Sequence, residues 1–250
     1  MASLIWLDDC APFPDPDAAL PEGLLAVGAS LTVERLTQAY RRGIFPWFND
    51  GDPILWWSPN PRMVLACNEF RASHSLSKKL RQIARSEGTP SARIRITTNL
   101  NFAAVIHGCA EPRGTQHATW ISPAIQAAYT AWHHAGAAHS IETWIDGELA
   151  GGLYGVCLGR FFFGESMFSR ANDASKIAVA YLIRFLSTRG ISHIDCQQQT
   201  GHLASLGAHP VDRKQFLDLL NQALQYPAPE WGQGEIWQSG QLARYQGITR

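Results

Sequence analysis

The chain has 250 residues, 46% hydrophobic and 17% charged, with a formal net charge of zero. That composition excludes a disordered chain, and the neutral balance excludes a global field drawing the protein onto nucleic acid, so such a partner needs a local basic patch. Cys10, Cys67, Cys109, Cys157 and Cys196 lack metal or redox spacing, and no apolar run reaches the ~20 residues of a membrane helix. The acidic start at Asp8 and Asp9 does not read as a signal peptide, so free thiols in a reducing compartment are expected.

In chain order, Phe13-Pro14-Asp15-Pro16 reads as a stiff, extended entry. Gly23 to Val27 is a short apolar strand or turn. Thr32 caps a helix over Val33–Arg42, with Val33, Leu36 and Tyr40 inward and Gly43 as its stop. The stretch from Gly43 to Arg62 is too rich in Pro, Gly and Trp for regular structure, and a small N-terminal unit is expected to end at residue 62.

Met63 to Ala66 reads as a strand. Ser75 to Ser86 reads as a helix with Leu76, Leu80 and Ile83 inward and Lys78, Lys79, Arg81 and Arg85 outward. Ala92 to Thr97 alternates as a strand, and Asn101 caps a helix to Gly108 or Cys109. Ser122-Pro123 starts a helix that Gly136 ends. Ser140–Ile145, a turn at Asp146-Gly147, Leu149–Leu158, a turn at Gly159-Arg160 and a run to Phe168 form an antiparallel meander. A helix over Ala174–Arg189 follows. Ile191 to Cys196 is a strand, placed beside Phe161–Phe168 by a crossover. Short and amphipathic helices over His202–Leu206 and Asp212–Leu224 precede a Gly-, Gln- and Pro-rich tail after Pro227. This order is α+β with a central, mostly antiparallel sheet. The expected units are residues 1–62, 63–226 and a tail, 227–250.

Chemistry concentrates in the stretch from Gly151 to Lys176. Glu165 interrupts an apolar strand, where a carboxylate is costly unless paired or used. Asp195 and Gln197 are two apart at a strand end, which period-two geometry places on one face. A carboxylate accepting from the carboxamide there fixes which way the amide points. Nine tryptophans are present, and Trp47, Trp56-Trp57 and Trp120 fall in loop-like contexts suited either to lids over a core or to base stacking. No phosphate-binding loop, dinucleotide fingerprint, metal motif or nucleophile elbow is found.

The motifs Tyr40-Arg41-Arg42-Gly43-Ile44-Phe45-Pro46-Trp47-Phe48, Trp56-Trp57-Ser58-Pro59, Thr119-Trp120-Ile121, Phe163-Gly164-Glu165-Ser166-Met167-Phe168-Ser169-Arg170, Ala174-Ser175-Lys176 and Asp195-Cys196-Gln197 give the chain a likeness. It resembles the leucyl/phenylalanyl-tRNA–protein transferases, in the family's motif order, from about Phe13 to Leu224. It departs from the family's usual Gly-Gly-Asp-Leu-Ser at Gly28-Ala29-Ser30-Leu31-Thr32, and has Ala118 where Gly often precedes Thr-Trp-Ile.

The resemblance implies a small N-terminal domain followed by an N-acetyltransferase-like (GNAT-like) domain. It implies transfer of Leu or Phe from aminoacyl-tRNA to the α-amine of proteins starting with Arg or Lys, as a degradation tag under the N-end rule in the bacterial cytoplasm; an apolar pocket discriminates by only roughly 1–3 kcal/mol per methylene, so tolerance of Met is expected as well. A monomer without cofactor, metal or membrane contact is expected. Trp47 and Trp120 would hold the 3′-terminal adenosine, Asp195 and Gln197 would assist catalysis, and Glu165 would lie at the aminoacyl end. For the donated side chain the residues themselves offer Leu153, Phe161, Phe163 and Met167, and for the acceptor's basic side chain Glu142, Glu165 or Asp195. Lys78, Lys79, Arg81 and Arg85 are the candidate contacts to the tRNA backbone. Two rival readings stand beside this one. A CoA-dependent acetyltransferase usually has a glycine-containing pyrophosphate loop, and Ser169 to Ser175 has no glycine. A non-catalytic RNA-binding module leaves Glu165, Asp195 and Gln197 without a task.

Overall fold

The computed structural model describes residues 4–112 and 119–245; Ala118 lies outside them. The first strands, β1 (Ile5–Leu7) and β2 (Leu24–Gly28), pair in parallel. Thr32 caps α1 (Val33–Tyr40) by accepting from the Arg35 N–H at 3.2 Å. The supposedly irregular stretch that follows supplies β3 (Phe45–Pro46) and β4 (Leu55–Trp57), and these complete a four-stranded sheet in the order β1-β2-β4-β3. Burial outweighs composition there: the Trp56 ring is fully enclosed and its indole N–H donates to the Gly28 carbonyl at 2.8 Å.

β5 (Arg62–Ala66) already belongs to a second, larger sheet. Next come α2 (His74–Ser86), β6 (Ile94–Thr98), α3 (Phe102–Ala110) and α4 (Pro123–His134). Ser73, Asn101 and Ser122 accept from helix N–H groups as their caps. The meander is β7 (Ala138–Ile145), β8 (Glu148–Leu158) and β9 (Phe161–Ser169). α5 (Ala174–Ser187) crosses to β10 (His193–Gln197), which pairs in parallel with β9. α6 (Gly201–Ser205), β11 (His209–Val211) and α7 (Arg213–Ala223) follow.

The expected loose tail is instead structured in its middle. β12 (Gly234–Ile236) pairs with β6 and with β13 (Leu242–Ala243), and Ile236 is buried. The aromatic and aliphatic residues there outweigh the Gly and Gln around them. Among the described residues the large sheet runs β11-β5-β10-β9-β8-β7-β6-β12-β13, antiparallel throughout except for β9 with β10. Side chains of α1, α3, α4 and α7 form a core with one face of this sheet, and α2 and α5 with the other.

Candidate active site

The site forms where β9 and β10 stop pairing. Their ladder joins Phe162 to Ile194 and Phe163 to Asp195, and goes no further. At that level each strand carries one residue more than its antiparallel neighbour. β9 pairs Gly164 with Gly155 and Ser166 with Tyr154, which leaves Glu165 extra. β10 pairs Asp195 with Val64 and Gln197 with Met63, which leaves Cys196 extra. Such bulges bend a strand and re-aim its side chains.

Two cavities meet at these bulges. One, of about 290 Å³, is mainly apolar and is walled by Leu65, Leu153, Phe162, Met167, Val179 and Leu182. The other, of about 190 Å³, is bounded by Phe45, Pro46, Trp47 and Trp120. Glu165, Cys196, Gln197, Thr200 and Leu203 border both. The last two come from α6 and its cap, which form a shared outer wall.

Glu165 is held by groups from three elements. Tyr40 on α1 donates to its Oε1 at 2.8 Å, Tyr129 on α4 to its Oε2 at 3.1 Å, and the Gln197 carboxamide Nε2 to its Oε1 at 3.2 Å. The two tyrosine hydroxyls also bond to one another. Burial nevertheless dominates, and it pushes the Glu165 carboxyl up to about 8. The tyrosine hydrogen bonds and Arg62 oppose that rise, and the nearby Asp195 charge adds to it.

Asp195 has a different task from the one its spacing suggests. It is 0% exposed and faces the guanidinium of Arg62, which is 1% exposed. Arg62 donates from Nε to Oδ1 at 2.8 Å and from Nη2 to Oδ2 at 2.7 Å, and its Nη1 reaches the Gly43 carbonyl at 3.1 Å. This two-point pairing satisfies a buried charge that burial alone would penalise. Asp195 Oδ1 also accepts from the backbone N–H of Gln197 at 2.9 Å. Gln197 has φ of 56°, a left-handed conformation unusual for a non-glycine residue. So Asp195 holds the strand end, while Glu165 orients the carboxamide. The expected Asp195–carboxamide contact is absent because Cys196 breaks the two-residue period.

The bulge at Glu165 also corrects the pocket residues. Leu153 and Met167 line the apolar cavity as expected, but Phe161 and Phe163 do not. They turn to the opposite face, where Phe161 packs on Phe216 with ring centroids 5.9 Å apart and Phe163 on Tyr40 at 5.1 Å. Phe162 takes the place assigned to them. Counting by twos back from Met167 gives the wrong face once an extra residue is passed.

Glu142 is not brought to the site. It is fully enclosed and accepts from Thr97 Oγ1, Ser140 Oγ and the Asn101 backbone N–H, and burial raises its pKa. Trp47, 38% exposed, and the half-buried Trp120 both border the smaller cavity. Trp47 is steadied by Trp57, which packs edge-on at 5.6 Å and donates its indole N–H to the Trp47 carbonyl at 2.6 Å. On α2, Lys78, Arg81 and Arg85 are exposed, whereas Lys79 pairs with Asp173 at 2.9 Å. Sequence reasoning missed Arg62, Tyr129 and the site role of Tyr40. The available signal was Glu165 itself, since a buried acid requires donors and inward-facing helical tyrosines can supply them.

Comparison with known proteins gives the family of the chain. The family description "Leucyl/phenylalanyl-tRNA protein transferase" matches residues 64–221, and its N-terminal domain matches residues 29–60. A leucyl/phenylalanyl-tRNA--protein transferase of Bordetella bronchiseptica is 58% identical over 241 residues, 96% of this chain and 95% of that protein. One from Nitrosospira multiformis is 51% identical over 234 residues, 93% of this chain and 95% of that protein. Among solved structures, a GCN5-related N-acetyltransferase from Kribbella flavida is similar over 70% of this chain and 59% of that one, at 9% identity and a TM-score of 0.35. The identity to the transferases extends over nearly the whole chain, and so the chain belongs to the leucyl/phenylalanyl-tRNA protein transferase family.

Proposed function

We propose that the chain transfers Leu or Phe from aminoacyl-tRNA to the α-amine of proteins beginning with Arg or Lys, marking them for degradation under the N-end rule. The observation that carries this reading is the meeting of an apolar cavity and a tryptophan-flanked cavity at Glu165 and Gln197. The donor side chain occupies the first, against Leu153, Phe162 and Met167. The terminal adenosine occupies the second, between Trp47 and Trp120, where stacking accepts any base. The ester joining them lies at the seam.

An aminoacyl ester is already activated, so the amine needs position and loss of a proton. The Gln197 carboxamide is turned by its bond to Glu165, which leaves its carbonyl oxygen to accept from the amine. An α-amine titrates near ~7.7–8.0, and the Glu165 carboxyl at about 8 is matched to receive its proton. Asp195 acts through Arg62 and the Gln197 backbone as a positioning residue. Glu165 borders the cavities, where its carboxyl meets the amine, whereas Glu142 and Asp195 are enclosed and out of reach of the acceptor's basic side chain. Lys78, Arg81 and Arg85 meet tRNA phosphates, with Lys79 beside them.

The chain acts as a monomer in the cytoplasm. No helix among the described residues is long and apolar enough to cross a membrane. The chain divides between Trp57 and Arg62, just before the expected boundary after residue 62, since the small sheet ends at Trp57 and β5 opens the large one at Arg62, and the strands after Pro227 go with the second unit. The test is incubation with labelled Phe-tRNA and a peptide starting with Arg, with and without RNase. RNase-sensitive labelling is expected. Labelling only from acetyl-CoA, or tRNA binding with no labelling, would sink the proposal.

A further inference from the structure

We infer that Trp231 is a specificity-determining residue of this reaction: it backs Phe162 and thereby sets the depth of the apolar cavity. The inference rests on that cavity being the donor side-chain site. Phe162 is completely enclosed apart from its contribution to the cavity wall. Across the strand lies Gly155, where a Cβ would stand 2.5 Å from Phe162 Cζ. The phenyl ring therefore lies against bare backbone on one side.

Trp231 supports the ring from elsewhere in the chain. Its indole is nearly parallel to the Phe162 ring, with centroids 5.6 Å apart and planes at 21°. The indole is itself fixed. His139 stacks on it at 4.0 Å and 5°, and Phe185 packs against it at 4.7 Å and 55°. Asn99 Nδ2 meets His139 Nδ1 at 3.1 Å. β12 begins three residues after Trp231 and ties the segment to the edge of the sheet. Phe162 thus cannot retreat from the cavity unless Trp231 yields. A smaller residue at 231 gives the ring room to withdraw, and the cavity deepens towards donors bulkier than Leu.

The test compares kcat/KM for Leu-, Phe-, Met- and Trp-charged tRNA with an Arg-starting peptide, in wild type, Trp231→Leu, Trp231→Phe, Phe162→Leu and the Trp231→Leu/Phe162→Leu double variant. Trp231→Leu is expected to raise the Trp-to-Leu donor ratio by about tenfold, the scale of a methylene-sized change in an apolar pocket. Phe162→Leu should raise it too, and the double variant should fall short of the product because both act on one wall. Trp231→Phe keeps an aromatic support and should move the ratio by about threefold, so it serves if the Leu variant does not fold. An equal loss for every donor, a ratio within about twofold of wild type in both Trp231 variants, or full multiplicativity in the double variant overturns the inference. Wild type that transfers neither Leu nor Phe overturns the proposed reaction itself, a separate and recognisable result.

Discussion

Replacing Glu165 by Gln should change how stability responds to pH. Burial holds this carboxyl at about 8, against an ordinary value of 4.5 that the unfolded chain regains. Between those values the native state keeps a proton that the unfolded state has lost, so stability falls as pH rises. Below 4.5 both states are protonated and the contribution is complete; above 8 neither is, and the slope ends. From pH 6 to pH 9 the fall spans two effective units at ~1.4 kcal/mol each, or about 2.7 kcal/mol. Glu165→Gln lacks this titration and shares the remaining titratable groups with wild type. Guanidinium unfolding of both proteins at pH 6 and pH 9 is the assay. The variant should gain roughly 2–3 kcal/mol on wild type between the two pH values. Parallel pH dependences would refute the burial argument.

The same substitution should cut single-turnover transfer by about 10²–10⁴-fold and make the rise in rate through pH 8 shallower than in wild type, leaving only the part that the α-amine's own titration supplies. Trp47→Ala and Trp120→Ala should each weaken aminoacyl-tRNA by about 10-fold or more in KM with kcat largely kept, since a stacked base is worth roughly 1–3 kcal/mol. Neutralising Lys78 and Arg81 should flatten the slope of log affinity against log salt by about 1–2, and an unchanged slope removes α2 from the tRNA interface. Arg62→Ala strands the buried Asp195 charge and should cost about 3–5 kcal/mol in denaturant unfolding, whereas Arg62→Ala/Asp195→Ala should recover much of it. Ala29 sits at φ 59°, a left-handed conformation that a residue with a Cβ adopts at a cost, so Ala29→Gly should stabilise by roughly 0.5–1 kcal/mol in the same assay.

Much of this fold is local and was therefore legible. Thr32, Asn101, Ser122 and Asp212 announce helix starts that the structure keeps. The meander and the parallel return of β10 follow from alternation and crossover. The small sheet was hidden because its strands are two to five residues long and depend on distant partners. At the site, Glu165, Gln197, Trp47 and Trp120 could be picked out, but their contacts could not. Arg62 meets Asp195 across 133 positions and Tyr40 meets Glu165 across 125. Nothing local marks an extra residue in a strand, so the choice between Phe162 and its two neighbours was beyond alternation.

Glu165 is a spacer as well as an acid. Phe163 and Phe168 reach the same core although their numbers differ in parity, and Met167 joins Phe162 on the other side. Substituting Glu165 leaves that phasing alone. Deleting it slips Ser166 to Ser169 by one place, turns Met167 out of the cavity and drives Phe168 away from its seat against Gly108. A change of letter at this position is a local edit; a change of count is a frameshift written in the fold.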